Sequence, residues 1–403
     1  MIKTILLIFI ILWMPIAEAS DFATRFRGPN GQGVYPVGSP PATWSLDDVS
    51  WKVELPGSGH SSPVVWGTTA FVTSTDAENA GYLLAIRLND GAILWKKEFD
   101  ISPYHINNDN SYASPTPTVD AERVYALWFS EERTLLTAFT HDGQPAWTRE
   151  FGGVYSRHGV GTSPIRVDNK VIFSREQESA KDSPLKSTWM AVHAQTGETV
   201  WELERDMAKS NSQSTPVLWS QNGQELLLFT SEAHGVTGVE MATGTVVWEF
   251  NPFDARTISS PVLAGELLFA SCKGKQLALQ LNGADSRVLY ELDSKHSPYV
   301  PTPIVVDGLL YNFTDNGYIS CHNANTGEVF WREKPAGKFY GSPILTNGLL
   351  YAMDRDGAVV VLKPDSVYNL VAVNPVAEGS HATPVVVDNK LLVRTFSHLL
   401  CVE

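Results

Sequence analysis

A Ser/Thr-Pro strand opener recurs eight times along this chain, at Ser62-Pro63, Thr116-Pro117, Ser163-Pro164, Thr215-Pro216, Ser260-Pro261, Thr302-Pro303, Ser342-Pro343 and Thr383-Pro384. The prolines follow one another at 54, 47, 52, 45, 42, 40 and 41 residues. A period close to that of one four-stranded sheet predicts a radial array of small sheets. The expected fold is therefore all-β, an eight-bladed β-propeller of four-stranded antiparallel blades. Short alternating strands with turn signals between them agree, and no long 3.6-period helix competes.

Each repeat ends in a second signature, Gly-x-x-x-Trp, at Gly91/Trp95, Gly143/Trp147, Gly197/Trp201, Gly244/Trp248 and Gly327/Trp331. The glycine suits the positive φ of a hairpin turn. The indole four residues on can wedge between neighbouring sheets. Blades five and seven carry Tyr290 and the Tyr368–Leu370 stretch in place of Trp, which predicts weaker wedges there. Blade eight lacks a fourth strand, while an orphan Trp strand, Val49-Ser50-Trp51-Lys52-Val53, stands near the N-terminus. Joining the two closes the ring and leaves no open edge to break it. Structural docking is thus expected of Trp51, Trp95, Trp147, Trp201, Trp248 and Trp331.

The pattern Ala191-x-His193-x-x-Thr196-Gly197-x-x-x-Trp201 and its echo Cys321-x-Asn323-x-x-Thr326-Gly327-x-x-x-Trp331 resemble the tryptophan-docking repeat of the pyrroloquinoline-quinone (PQQ)-like propeller family. Phe26-Arg27-Gly28-Pro29, Gly57-x-Gly59-His60-Ser61-Ser62-Pro63 and Asn110-Ser111-Tyr112-Ala113-Ser114-Pro115 look like a secreted bacterial branch of it. The resemblance covers nearly all of the chain after the leader. It implies the propeller fold and two kinds of function: quinoprotein dehydrogenases, and the propeller lipoprotein of outer-membrane barrel assembly.

Met1–Ala19 reads as a secretory signal peptide, with Lys3, an apolar core from Ile5 to Met14 and a small-residue end at Ala17-Glu18-Ala19. No cysteine follows it to accept a lipid. The expected product is periplasmic or extracellular, without a transmembrane segment, and monomeric. Residues 20–48 form an irregular, Gly- and Pro-rich lead-in, and residues 49–403 the propeller. The net charge of −14, with no basic run, gives a phosphate backbone or an anionic membrane little to hold. Nucleic acid is not an expected partner. Cys272, Cys321 and Cys401 are an odd, widely spaced set, read as small buried hydrophobes on strands.

Antiparallel blades put the linkers between blades on the same face as the loops joining strands two and three. Ser74–Gly81, Asp100–Ala113, Ser130–Arg133, Arg175–Ser187 and Glu204–Ser214 read as insertions on that face, all in blades one to four. Five of ten histidines, His60, His105, His158, His296 and His381, precede the openers and are expected to converge on the central channel. Asn110, Tyr112, Arg157, Ser212, Arg256, Tyr299 and Tyr340 complete a polar, aromatic rim suited to a small ligand or a peptide. Two imidazoles with Asp109 would suit zinc or iron, but no ligand spacing announces a metal, and none is assigned. Tyr104, Trp128 and Phe129 are candidate exposed anchors for a partner, with core strand as the alternative for Trp128 and Phe129.

The favoured reading is a secreted, non-catalytic propeller that binds a protein or a saccharide through the loop-bearing face of blades one to four. The alternatives are a PQQ- and Ca²⁺-dependent alcohol or sugar dehydrogenase, and a small-molecule or metal site in the funnel. The resemblance implies adjacent cysteines and a much longer chain for the dehydrogenases, and this sequence has neither. No catalytic residue and no cofactor is assigned.

Overall fold

The computed structural model describes residues 22–178, 186–206, 210–221 and 223–403; the leader assigned to Met1–Ala19 lies outside them. Eight antiparallel four-stranded sheets follow one another in chain order, as the openers predicted. The first sheet gains a fifth strand, Phe22–Ala23, paired with Val64–Trp66. The last is completed from the N-terminus: Val49–Glu54 pairs with His398–Val402, with Trp51 opposite Cys401. The ring is closed by joining both ends of the chain.

The openers do more than start strands. The backbone N–H of each Ser or Thr donates to the hydroxyl of the opener in the next blade. Ser62 bonds Thr116, Thr116 bonds Ser163, Ser163 bonds Thr215 and Thr215 bonds Ser260, at 3.0 to 3.2 Å. The series continues through Thr302, Ser342 and Thr383 at 2.9 to 3.0 Å. The N–H of Thr383 then returns to the Ser62 hydroxyl at 3.1 Å. Proline at the following position fixes φ and directs each segment into its strand. Ser and Thr alternate strictly round this circle. Thr302→Val keeps the shape of the side chain but strands the buried N–H of Ser260, and is expected to cost ~1–3 kcal/mol in urea unfolding.

The Trp wedges dock as expected, and their geometry gives the glycine a second role. The indoles of Trp51, Trp95, Trp147 and Trp201 lie on the turn glycine of the next blade. A Cβ on Gly91, Gly197 or Gly244 would sit 2.6–2.7 Å from the ring of Trp51, Trp147 or Trp201. These glycines also have φ near +75° (71°, 73° and 75°), so turn and packing both demand glycine. Five of the six indole N–H groups bond a carbonyl of the next blade's turn: Trp51 to Leu88, Trp95 to His141, Trp147 to Ala194, Trp201 to Met241 and Trp331 to Asp365. Tyr290 docks in the same manner, against Gly327 and with its hydroxyl 2.7 Å from the Ala324 carbonyl. It is a full member of the series. In blade seven the register puts Ala372 at the Trp position, opposite Val361, and not Tyr368 or Leu370. Trp44 of the lead-in joins the same apolar cluster as Ala372 and is bonded to Asn374 and Pro375. An indole from elsewhere in the chain supplies what that blade lacks.

The lead-in crosses the end of the channel opposite the linkers. It bonds in turn to blade two (Thr24 carbonyl from Val119 N), blade four (Arg25 to the Pro216 carbonyl), blade six (Arg27 to the Pro303 carbonyl) and blade five (Gln32 Oε1 from Leu263 N). It then reaches blade seven through Gly33, Tyr35 and Leu345, and blade eight through Ser39 and Asp388. The strap turns the channel into a blind cavity. The seam between blades eight and one carries one more lock, since buried Arg394 donates to the carbonyls of Ser61 and Thr73. Cys272, Cys321 and Cys401 are buried free thiols on strands, pushed up to about 11 by burial.

Candidate functional site

On the linker face the channel opens as a cavity of about 460 Å³. Because each linker runs into its strand in extended form, alternate residues face the axis and build two tiers. The lower tier is the circle of eight opener hydroxyls. The upper tier is the residue three before each proline: His60, Ser114, Gly161, Gln213, Ile258, Val300, Tyr340 and His381. Phe26 of the strap lies at the closed end.

The upper tier is lopsided. Blades seven, eight and one contribute Tyr340, His381 and His60, which cluster. Tyr340 stacks on His381 at 3.9 Å between ring centres and 18° between planes, and His381 lies 4.5 Å from His60. Blades two and three contribute only Ser114 and Gly161. The space is filled by the long segment after Ile93–Asp100, which reaches over the mouth. Its Asn110 donates to the His158 carbonyl at 2.8 Å, and its Asp109 pairs with Arg355 of blade seven. Arg256 is fixed by Glu178, a fully buried carboxylate that also holds Arg157. Asp315 accepts the N–H groups of Tyr299 and Val300, and burial raises it above the usual carboxylate range.

Of the twelve rim residues read from the sequence, His60, Asn110, His158, Arg256, Tyr299, Tyr340 and His381 line this cavity. Five do not. His105 is an exposed residue of the long segment and does not line the cavity. Tyr112 turns inward on that segment, with its hydroxyl on the Tyr104 carbonyl. Arg157 braces Glu178. Ser212 is buried in a hydroxyl network with Thr257 and the Thr230 carbonyl. His296 packs edge-on against His322, ring centres 5.1 Å apart. Tyr104, Trp128 and Phe129 are at most 9% exposed, so they are core and not partner anchors. Ser74–Gly81 and Ser130–Arg133 are tight turns rather than insertions, because the strands run further than read: Thr75 pairs with Gly81, and the Ser130 N–H bonds the Arg133 carbonyl. The cavity residues Arg355, Asp315, Lys273, Asn107 and Gln213 were missed, although counting three back from each proline would have found Gln213.

His381 is buried beside Arg355 and His60, and burial holds it down to about 4. A folded-state value below the unfolded 6.5 means its stabilising share is whole above pH 6.5 and is lost as pH falls through 4. Chemical unfolding between pH 7 and 4 should show a decline of ~2–3 kcal/mol from this group, flattened in His381→Gln.

A family model described as "Outer membrane protein assembly factor BamB" matches residues 47–222, 186–306 and 295–402, which spans nearly all of the propeller. The chain belongs to the BamB family of PQQ-like propellers. BamB of Yersinia pestis is 23% identical over 351 residues, 85% of this chain and 75% of its own. Among solved structures, BamB from Moraxella catarrhalis superposes with a TM-score of 0.61 at 14% identity, over 87% of this chain and 95% of that one. Quinohemoprotein alcohol dehydrogenase from Comamonas testosteroni superposes with a TM-score of 0.69 at 11% identity, over 96% and 81%. At such identities the superpositions speak for the fold alone.

The dehydrogenase likeness raises PQQ and Ca²⁺, and the donor set does not suit the cation. Calcium takes six to eight oxygen ligands, several of them carboxylate. Among the described residues, the carboxylates lining the cavity are Asp109, tied to Arg355, and Asp315, committed to two backbone N–H groups. Among the described residues no three His, Cys, Asp or Glu side chains gather to hold a metal ion.

Proposed function

We propose that this protein is an exported, non-catalytic binding scaffold that presents its linker face to a protein partner, in the setting that the BamB relatives' name describes, outer-membrane protein assembly. The observation that carries this reading is the long segment after Ile93–Asp100. It leaves the regular repeat, spans the cavity mouth, and is fixed to blade three through His158 and to blade seven through Arg355. A rigid ring with one elaborated face is the arrangement in which loops carry recognition. The leader at Met1–Ala19 supports export, and the acidic surface argues against nucleic acid as the partner.

The test is site-specific photocrosslinking in the native host. A photoreactive residue at exposed His105 or Asn107 should give a discrete adduct with an envelope protein, while one at Val247 on the outer wall should not. Adducts only from Val247, or none from the linker face, would sink the proposal.

A further inference from the structure

We propose that the floor of the cavity is a binding site for a small oxyanion, a phosphate or a carboxylate, held on the ring axis by the circle of opener hydroxyls. This is independent of which protein docks on the face above. Each hydroxyl oxygen already accepts one N–H from the preceding blade. None has an acceptor for its own proton among the described groups. All eight are at most 4% exposed, yet all eight line the cavity. Buried hydroxyls seek a partner for their donor as well. Eight such donors round one axis present a ligand made of acceptors with its complement.

A second, separate observation fixes the sign of the charge. Arg25 and Arg27 flank Phe26 at the closed end and are 5% and 0% exposed. Their guanidiniums reach the carbonyls of Pro216 and Pro303, each one residue beyond a member of the hydroxyl circle. Among the described residues, Arg25 Nε and Arg27 Nε and Nη1 have no hydrogen-bond partner. Burial lowers the two to about 10 and about 9, with no carboxylate countering it, so both stay charged at neutral pH. A buried charge without a counter-ion is costly. An anion seated among the hydroxyls would compensate both from above. At the mouth, Asp109 is matched by Arg355, so it does not repel an entering anion.

The experiment is calorimetric titration of the purified protein with sodium phosphate and, separately, sodium citrate, at ionic strength held constant with chloride. Heats are read rather than melting temperature, because both anions stabilise proteins non-specifically. One saturable site for phosphate or citrate is expected, and the stronger of the two tells a phosphate from a carboxylate ligand. Thr302→Val, which removes one floor hydroxyl, should weaken binding about tenfold, a hydrogen bond to a charged group. Arg355→Gln leaves the ring intact and Asp109 unmatched over the mouth, and should weaken it about fivefold. If Thr302→Val does not fold, Arg355→Gln decides. No saturable heat up to about 20 mM of either anion, where a useful site would be filled, overturns the proposal. So does unchanged affinity in the folded variants, since the anion would then sit elsewhere.

Discussion

Removal of Val49–Leu55 is expected to lower the melting temperature by at least about 10 °C and to broaden the transition. The segment completes blade eight, carries Trp51 onto Gly91 of blade one, and buries Leu55. Without it, His398–Val402 becomes an open edge and the wedge at the seam is gone. What remains at the junction is the Thr383–Ser62 bond, Arg394 and the Gly59–Phe396 backbone bond, together with the apolar packing of blade one on blade eight. A synthetic peptide spanning residues 45–56, added in trans, should restore part of the loss. An unchanged melting curve in the deletion would disprove closure by this strand.

The second large effect is expected at Trp201. Its ring is 6% exposed, lies on Gly244, and its N–H bonds the Met241 carbonyl at 3.1 Å. Trp201→Ala should cost ~3–5 kcal/mol, as other large-to-small aromatic core changes do. Gly244→Ala should also destabilise, because the new methyl would meet the indole and a φ of +75° is strained for alanine. The two changes act on one contact. Measured together by urea unfolding, they should cost less than their sum by ~1 kcal/mol or more. Strict additivity would mean the glycine serves its turn alone.

The blades, their number and the closing strand were legible because each is a local signal repeated at a fixed period. What the sequence concealed is contact between blades. Nothing local says that the Ser62 N–H meets the Thr116 hydroxyl, since the two belong to different sheets. Arg25, Arg27 and Arg394 look like any surface arginine until the strap and the seam bury them. Trp44 was hidden for the same reason: Ala372, whose shortfall it fills, is an unremarked small residue on a strand. The site was half legible. His60, Tyr340 and His381 keep the third place before proline, and so face the axis. His105 and His296 lack that place: His296 packs on His322 and His105 is exposed, neither of which spacing announces.

The strap has a mechanical consequence. A pull applied at residue 22 would not first peel Val49–Glu54 from the seam. It would load the bonds to blades one and two, then those of Arg25, Arg27 and Gln32, then the pairing with Leu345, spreading the force over much of the ring before it reached the clasp. A propeller tethered from that end would hang by its floor, and the strand that closes the circle would be the last to feel the strain.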